Sequence, residues 1–311
     1  ALGYVGRADV DADPERPFHY NLPEWEGKSG VEKVWDEALC GEAGGRLIRV
    51  DVSGYRHEDL GGREPRRGTS LQLALDVEVQ GLVEEALGDV RGAAVVLDPR
   101  NGDILALASS PAYDPNRFVP SIGRDFWQRL LEDPGHPLLN RAVGGYYAPG
   151  STFKPVTAMA ALVRGGADPR RTYSCPGYFQ LGRRRFRCWR TAGHGTLRLR
   201  EAIKHSCNVY FFQLALACGI EPLAATAREL GLGRKSGVDL PYERSGLVPD
   251  PAWKRRRYGE SWQKGDTCNL AIGQGALTVT PLQMAVVAAT LANGGRLYRP
   301  RLVTGLRPAG K

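Results

Sequence analysis

The stretch YYAPGSTFKPVTAMAAL, residues 146–162, places Ser151 three positions before Lys154, where a turn gives way to an apolar run. Residues i and i+3 share one face of a helix, so a helix starting here brings Ser151 Oγ and Lys154 Nζ into one small site. Ala148-Pro149-Gly150 ends the preceding segment, and VTAMAAL has the composition of a buried helical run. A serine in the first turn also stands among free backbone N–H groups, which stabilise negative charge developing nearby. A buried lysine loses its proton near neutral pH and can act as a base. The pair implies a serine nucleophile with a lysine partner; the alternative is a capping serine beside a solvated lysine. A second pair, Ser261 and Lys264 in GESWQKGDT, runs straight into Gly265-Asp266, a turn signal. No helix is expected to hold that pair in register.

Two further sets of polar residues lie downstream. Ser206-Cys207-Asn208 falls where two helical segments meet in LREAIKHSCNVYFFQLALACG. A hydroxyl and a carboxamide two residues apart on a tight turn can relay a proton and orient a substrate amide, although Ser-x-Asn alone also reads as a helix cap. Cys175, Cys188, His194 and Cys207 make a second set: three thiolates and an imidazole form a closed tetrahedral zinc site. The tight C-x-x-C knuckle is absent, and a Cys175–Cys188 disulfide with a capping histidine is the competing arrangement. Cys207 is the middle residue of Ser-Cys-Asn, so a metal here would tie that turn to the 175–194 excursion. Cys40, Cys218 and Cys268 read as ordinary small apolar residues.

These residues need a scaffold, and 311 residues allow one large or two moderate domains with a sizeable core. No apolar run approaches the roughly 18–20 residues that span a bilayer, and no secretory h-region is present. The chain opens on ALGYVGRADV and closes on RLVTGLRPAGK, and is expected to be a piece of something longer. The net charge of +8 is mostly arginine, clustered at 66–67, 170–171, 183–185 and 255–257; these are solvated faces or contacts for a polyanion.

GVEKVWDEALCG predicts a helix and GRLIRVDVSG a strand, with HEDLGGREPRRG as a polar boundary. TSLQLALD alternates as a half-buried strand, VEVQGLVEEAL has helical spacing, and AAVVLDPRNGDILALAS is a hairpin. TPLQMAVVAATLANGG carries Thr280 as N-cap, Pro281 at the first position, Gln283 for a capping box and Asn293-Gly294 to stop it. Helices and strands come in separate runs, which predicts an α+β fold with an antiparallel sheet.

Taken together, these blocks resemble the class B penicillin-binding proteins of the elongation type. GKSGVEKVWDEALCG is similar to the end of the family's non-catalytic pedestal. VVLDPRNGDILALASSPAYDPNRF and LLNRAVGGYYAPGSTFKP are similar to the start of its transpeptidase domain, and SGVDLPYERSGLVPD and GDTCNLAIGQGALTVTPLQMA to later blocks. The resemblance implies the penicillin-binding-protein transpeptidase fold, with residues 1–65 in a partial pedestal and 66–311 in the transpeptidase domain. It implies Ser151 as the acyl-accepting nucleophile, Lys154 as its base, Ser206 as proton shuttle and Asn208 as the group holding the peptide amide. The reaction implied is attack on the D-Ala-D-Ala end of a peptidoglycan stem peptide, with β-lactams acylating the same serine.

The family's Lys-Thr/Ser-Gly motif should follow the TPLQMA helix by several tens of residues, beyond Lys311. The expectation is therefore a domain lacking its C-terminal part and, as a fragment, impaired. Lys28-Ser29-Gly30 and Lys235-Ser236-Gly237 precede that helix and are rejected as substitutes. Some elongation-type members carry a metal where Cys175 and its partners fall, with acidic residues at the first two positions; cysteine there favours zinc more strongly. The implied setting is the periplasmic side of an inner membrane, with a single-pass anchor upstream of Ala1 and a membrane glycosyltransferase of the elongation complex as partner. Three competing functions stand beside this one: a β-lactam-hydrolysing or sensing acyl-enzyme, an inert scaffold of the wall-synthesis complex, and a nucleic-acid-binding zinc module around GRRRFRCWRTAGH. The first lacks a Glu-x-x-x-Asn loop, since Ala225 stands where asparagine is required after Glu221. The last leaves most of the chain idle.

Overall fold

The structure is a computed structural model that describes residues 1–8 and 25–307. Strand β1 (Val5–Arg7) pairs antiparallel with β2 (Trp25–Gly27). The segment expected as one helix is two short ones, α1 (Gly30–Val34) and α2 (Asp36–Cys40), broken at Trp35. The break follows from Asp36, whose carboxylate accepts the Gly27 N–H at 2.7 Å and ties the second helix to β2. Strands β3 (Gly45–Val50) and β4 (Arg56–Arg63) then form an antiparallel ladder. Much of the stretch expected as a polar boundary is therefore strand. Its side chains are exposed along the whole of β4, so backbone pairing and surface contacts such as Arg49–Glu58 and His57–Asp51 hold it and polar composition is no obstacle.

Strand β5 (Ser70–Leu73) leads to helix α3 (Val77–Leu87), whose first turn is capped by the Asp76 carboxylate. The expected hairpin is present as β6 (Gly92–Leu97) and β7 (Ile104–Ser110). Helices α4 (Arg124–Glu132) and α5 (Arg141–Gly144) precede a 3-10 turn, Gly150–Phe153, that runs directly into α6 (Lys154–Val163). An excursion of four short strands follows: β8 (Tyr173–Cys175), β9 (Tyr178–Leu181), β10 (Arg184–Arg187) and β11 (Gly195–Leu197). In it β9 pairs with β10 and β8 with β11. The remainder is helical: α7 (Leu199–Lys204), α8 (Asn208–Cys218), α9 (Ile220–Glu229), α10 (Pro251–Tyr258), α11 (Lys264–Ala271) and α12 (Pro281–Ala292). The last described strand, β12 (Val303–Arg307), returns to pair with β5. Every named strand pair among the described residues is antiparallel, as an α+β fold requires.

The site is held by helices packed on helices. Phe153, Val156 and Ala160 of the 3-10 turn and α6 meet Leu223, Ala224 and Ala227 of α9 and Leu270 of α11 in one buried cluster. Helix α8 carries apolar residues around its circumference, and Tyr210, Phe211, Phe212 and Leu214 are all buried. A helix apolar on every side must be central, and α8 sits between the four-strand excursion and α6 and α11. Thr280 and Gln283 form the expected capping box at the start of α12.

Candidate active site and metal centre

Ser151 lies in the 3-10 turn and Lys154 opens α6, so the pair stands in the first turns of one continuous helical segment. Lys154 is 2 % exposed. Its Nζ lies within hydrogen-bond distance of Ser151 Oγ (3.1 Å), Ser206 Oγ (2.8 Å), the Ser206 carbonyl (2.7 Å) and Asn208 Oδ1 (2.7 Å). Ser206 Oγ in turn donates to Ser151 Oγ at 3.0 Å. The four residues singled out from the sequence thus close into one hydrogen-bonded cluster across 57 positions of chain numbering, 151 to 208. Burial pulls the lysine down to about 8, against the opposing pull of Cys188 and Cys207. A neutral amine is therefore accessible near physiological pH, beside a hydroxyl whose proton it can accept.

The turn between α7 and α8 makes this closure possible. Ser206 has a left-handed backbone, φ 50°, a conformation that costs a residue with a Cβ about 1–2 kcal/mol. That kink aims both the Ser206 hydroxyl and its carbonyl at Lys154, and lets Asn208 begin α8. Cys207, between them, is the N-cap of α8 and points the other way, its sulfur accepting the Tyr210 N–H.

On that other side stands the second cluster. The ligand atoms of Cys175, Cys188, His194 and Cys207 all lie within 4.8 Å of one another. His194 Nδ1 is 3.6 Å from Cys175 Sγ and 3.5 Å from Cys188 Sγ. Tetrahedral zinc, with Zn–S about 2.3 Å and Zn–N about 2.0–2.1 Å, sets a nitrogen–sulfur edge of roughly 3.5 Å, so the residues fit the ion. Local structure explains the convergence. The His194 N–H donates to the Cys175 carbonyl as β8 and β11 begin to pair, and the Cys188 N–H donates to Gly177. Gly193, at φ +77°, lets these strands approach; a Cβ there would stand 2.2 Å from the Cys175 carbonyl. Burial, then the positive charges of Arg190, His205 and Lys154, lower the pKa of His194 and keep its imidazole neutral, as a ligand must be. Burial raises the Cys188 thiol, but the N–H groups of Arg190, Val209 and Asn208 outweigh it and draw the thiol below its ordinary value. Burial instead pushes Cys207 up to about 12. All six cysteines are free thiols, Cys175 and Cys188 included.

The rejected motifs lie elsewhere. Ser29 Oγ accepts the Tyr4 N–H and pairs with the Tyr113 hydroxyl, while Ser236 is bound to the Glu243 carboxylate through both its N–H and its hydroxyl. Ser261 lies outside α11, and Lys264 opens it. Helix α11 nevertheless runs through Gly265-Asp266, contrary to the turn expected there, because Asp266 caps it by accepting the Gln263 N–H. Cys40 is exposed, unlike the buried Cys268. A residue that sequence reasoning gave no role is Gly273, at φ +69°, whose carbonyl accepts the Gly150 N–H at 2.9 Å. A Cβ there would stand 2.2 Å from the Gly150 carbonyl, so only glycine lets the segment after α11 close against the turn that carries Ser151. The glycine pair in AIGQG was its signal.

Comparison with known proteins reaches the same place. Residues 92–308 match the penicillin binding protein transpeptidase domain, and residues 1–73 the penicillin-binding protein dimerisation domain. The peptidoglycan D,D-transpeptidase MrdA of Acinetobacter baumannii is 42 % identical over 308 residues, covering 97 % of this chain and 45 % of that protein. The Escherichia coli K12 protein of the same name is 37 % identical over 318 residues, covering 100 % of this chain and 50 % of its own length. The chain thus spans about half the length of the curated relatives it matches. Among solved structures, Helicobacter pylori PBP2 in complex with MreC superimposes with a TM-score of 0.86 at 36 % identity, covering 99 % of this chain and 58 % of that one. Pseudomonas aeruginosa PBP2 in complex with WCK 5153 gives 0.86 at 35 % identity, covering 99 % and 65 %. With the matched domain enclosing Ser151, Lys154, Ser206 and Asn208, this chain belongs to the penicillin-binding protein transpeptidase family.

Proposed function

We propose that the protein is a peptidoglycan D,D-transpeptidase, acting through a Ser151 acyl-enzyme and acylated at the same serine by β-lactams. The observation that carries this reading is the single amine, Lys154 Nζ, within hydrogen-bond reach of the Ser151 and Ser206 hydroxyls and the Asn208 amide oxygen. Neutral Lys154 takes the Ser151 proton as Oγ attacks the carbonyl carbon of the penultimate D-Ala. The C–N bond to the terminal D-Ala breaks, and its nitrogen receives a proton relayed from Lys154 through Ser206. An amine from a neighbouring stem peptide then attacks the acyl carbon, forms the cross-link and returns the proton and the free hydroxyl to the site. Asn208 holds the substrate amide in line. The names of the MrdA relatives support the reading.

Three finer statements belong to the same proposal. Residues 1–65 form part of a pedestal and 66–311 the transpeptidase domain. Cys175, Cys188, His194 and Cys207 bind one structural Zn²⁺, which fixes the Ser206–Asn208 turn and supplies no step of the chemistry. The protein works on the periplasmic face of the inner membrane, tethered by a span outside this chain and coupled to a membrane glycosyltransferase of the elongation complex. No single described helix is long and apolar enough to cross a membrane. The solved relatives named as a PBP2–MreC complex and as a peptidoglycan synthase complex support a multiprotein setting.

The deciding experiment is covalent labelling of the intact protein with a fluorescent penicillin. Label on the wild type, absent from Ser151→Ala, is the expected result; label that survives the substitution or moves to Ser261 overturns it.

A further inference from the structure

Of the 42 basic and 34 acidic residues in the chain, nine arginines and no acid fall in residues 170–200. Outside that segment acids exceed bases by one, so the whole excess of +8 belongs to the excursion between α6 and α7. Arg183, Arg184, Arg185 and Arg187, on the β9–β10 hairpin, are all exposed, and none is ion-paired among the described residues, unlike Arg228 with Asp250, Lys254 with Asp266 and Arg301 with Asp103. Arg184 and Arg185 lie over the rings of Phe186 and Tyr178, at 4.9 and 4.2 Å from their centroids. Aromatic contacts of this kind orient a guanidinium while leaving its N–H fork free for an anion.

The base of the hairpin is fastened to the catalytic turn. The residue after Arg187, Cys188, has its sulfur within 4.8 Å of that of Cys207, the residue between Ser206 and Asn208. Trp189 Nε1 donates to the His205 carbonyl at 3.0 Å, one residue before Ser206. An anion held by these arginines therefore sits on the excursion that is fastened to the turn carrying Ser206 and Asn208.

We propose that the arginine hairpin of β9 and β10 is a docking track for the uncross-linked glycan–peptide strand, a polymer that repeats a free carboxylate at every stem, and that it delivers stems to Ser151. The inference rests on the transpeptidase reading for the identity of the polymer. A concentrated charge beside a site raises local substrate concentration and association rate at least tenfold, in a salt-dependent way.

The test separates binding from chemistry. Soluble uncross-linked strands are titrated against intact protein carrying Ser151→Ala, with and without Arg183→Gln/Arg184→Gln/Arg185→Gln. The triple substitution should weaken binding roughly tenfold at low salt and flatten the salt dependence, and the Arg→Lys triple should restore most of it. In the Ser151 protein the glutamine triple should raise KM for strands by a similar factor with kcat and penicillin labelling retained; should the triple fail to fold, Arg183→Gln/Arg185→Gln serves in its place. Unchanged strand affinity overturns the track, as does an equal loss toward a single short stem peptide, or a loss confined to phosphatidylglycerol vesicles. Loss of penicillin labelling in the wild type overturns the transpeptidase reading instead, and strand binding still decides the track.

Discussion

The two clusters that share the α7–α8 turn are built on opposite principles. Around Lys154 each functional group named has a protein partner: one ammonium, two hydroxyls, a carbonyl and an amide oxygen satisfy one another. Around His194 they do not. His194 Nδ1 faces only the sulfurs of Cys175 and Cys188, one thiol is drawn down and another pushed up to about 12, and thiols are weak donors and acceptors. Buried polar groups left short of partners are costly, and a divalent cation is the simplest thing that would make this set favourable. The first cluster is complete within the protein. On the zinc proposal, an ion completes the second.

The largest effect that could break this comparison is on the complete cluster. Lys154→Ala leaves Ser151 with no base, and penicillin acylation should fall by about 10²–10⁴ or more, measured as the rate of label incorporation. Metal content should not change, because no zinc ligand is touched. An acylation rate within tenfold of the wild type would show that Lys154 is a packing residue.

Removing the ion acts the other way, on stability first. Elemental analysis should find about one zinc per chain, and His194→Ala should abolish it and lower Tm on the order of 5–10 °C. Cys207→Ser should do the same and also slow acylation several-fold, because the neighbouring Ser206 and Asn208 lose their anchor. A metal-free, well-folded protein with a mass-mapped Cys175–Cys188 bridge would end the zinc proposal and leave Ser151 standing.

What was legible in the sequence divides along the same line. Ser151–Lys154 is a local spacing, and a helix turns local spacing into geometry without help. The Cys/His set is non-local, yet its residue types are so few that three of them in one excursion and a fourth on the α7–α8 turn already suggested one site, beside the disulfide alternative. Gly273 carried only the glycine pair of AIGQG, which does not say what it approaches. Its role is to let two backbones touch, and only the fold shows which two. The HEDLGGR strand was missed because composition predicts what side chains want, whereas β4 is held by backbone pairing and surface contacts with every side chain in solvent. The single-helix expectation for residues 30–41 failed because a tertiary contact, Asp36 to Gly27, interrupts a locally helical sequence.

A smaller effect concerns pH. Burial holds Lys154 at about 8, so its neutral, base-competent form grows with pH and dominates above that value. Penicillin acylation should rise about tenfold per unit below pH 7, bend near 8 and level off above it. A flat profile between pH 6 and 9 would mean that proton transfer from Ser151 does not limit the step.

The smallest expected effect, on stability, tests the turn itself. Ser206 accepts a left-handed backbone, φ 50°, to serve the complete cluster, and Cys207 follows it into the incomplete one. Ser206→Gly relieves a strain of about 1–2 kcal/mol but frees the unfolded chain by about 0.5–1 kcal/mol and deletes the hydroxyl. Ser206→Ala keeps the strain and deletes the hydroxyl too. Glycine should therefore leave Tm close to that of the wild type, alanine should lower it by a few degrees, and both should slow turnover alike, since both lack the relay. Zinc content should be unchanged in each, because Cys207 can keep its place on either backbone. If alanine proved the more stable of the two, the left-handed turn would be no burden to the fold, and the account of Ser206 as a strained residue kept for its hydroxyl would fail.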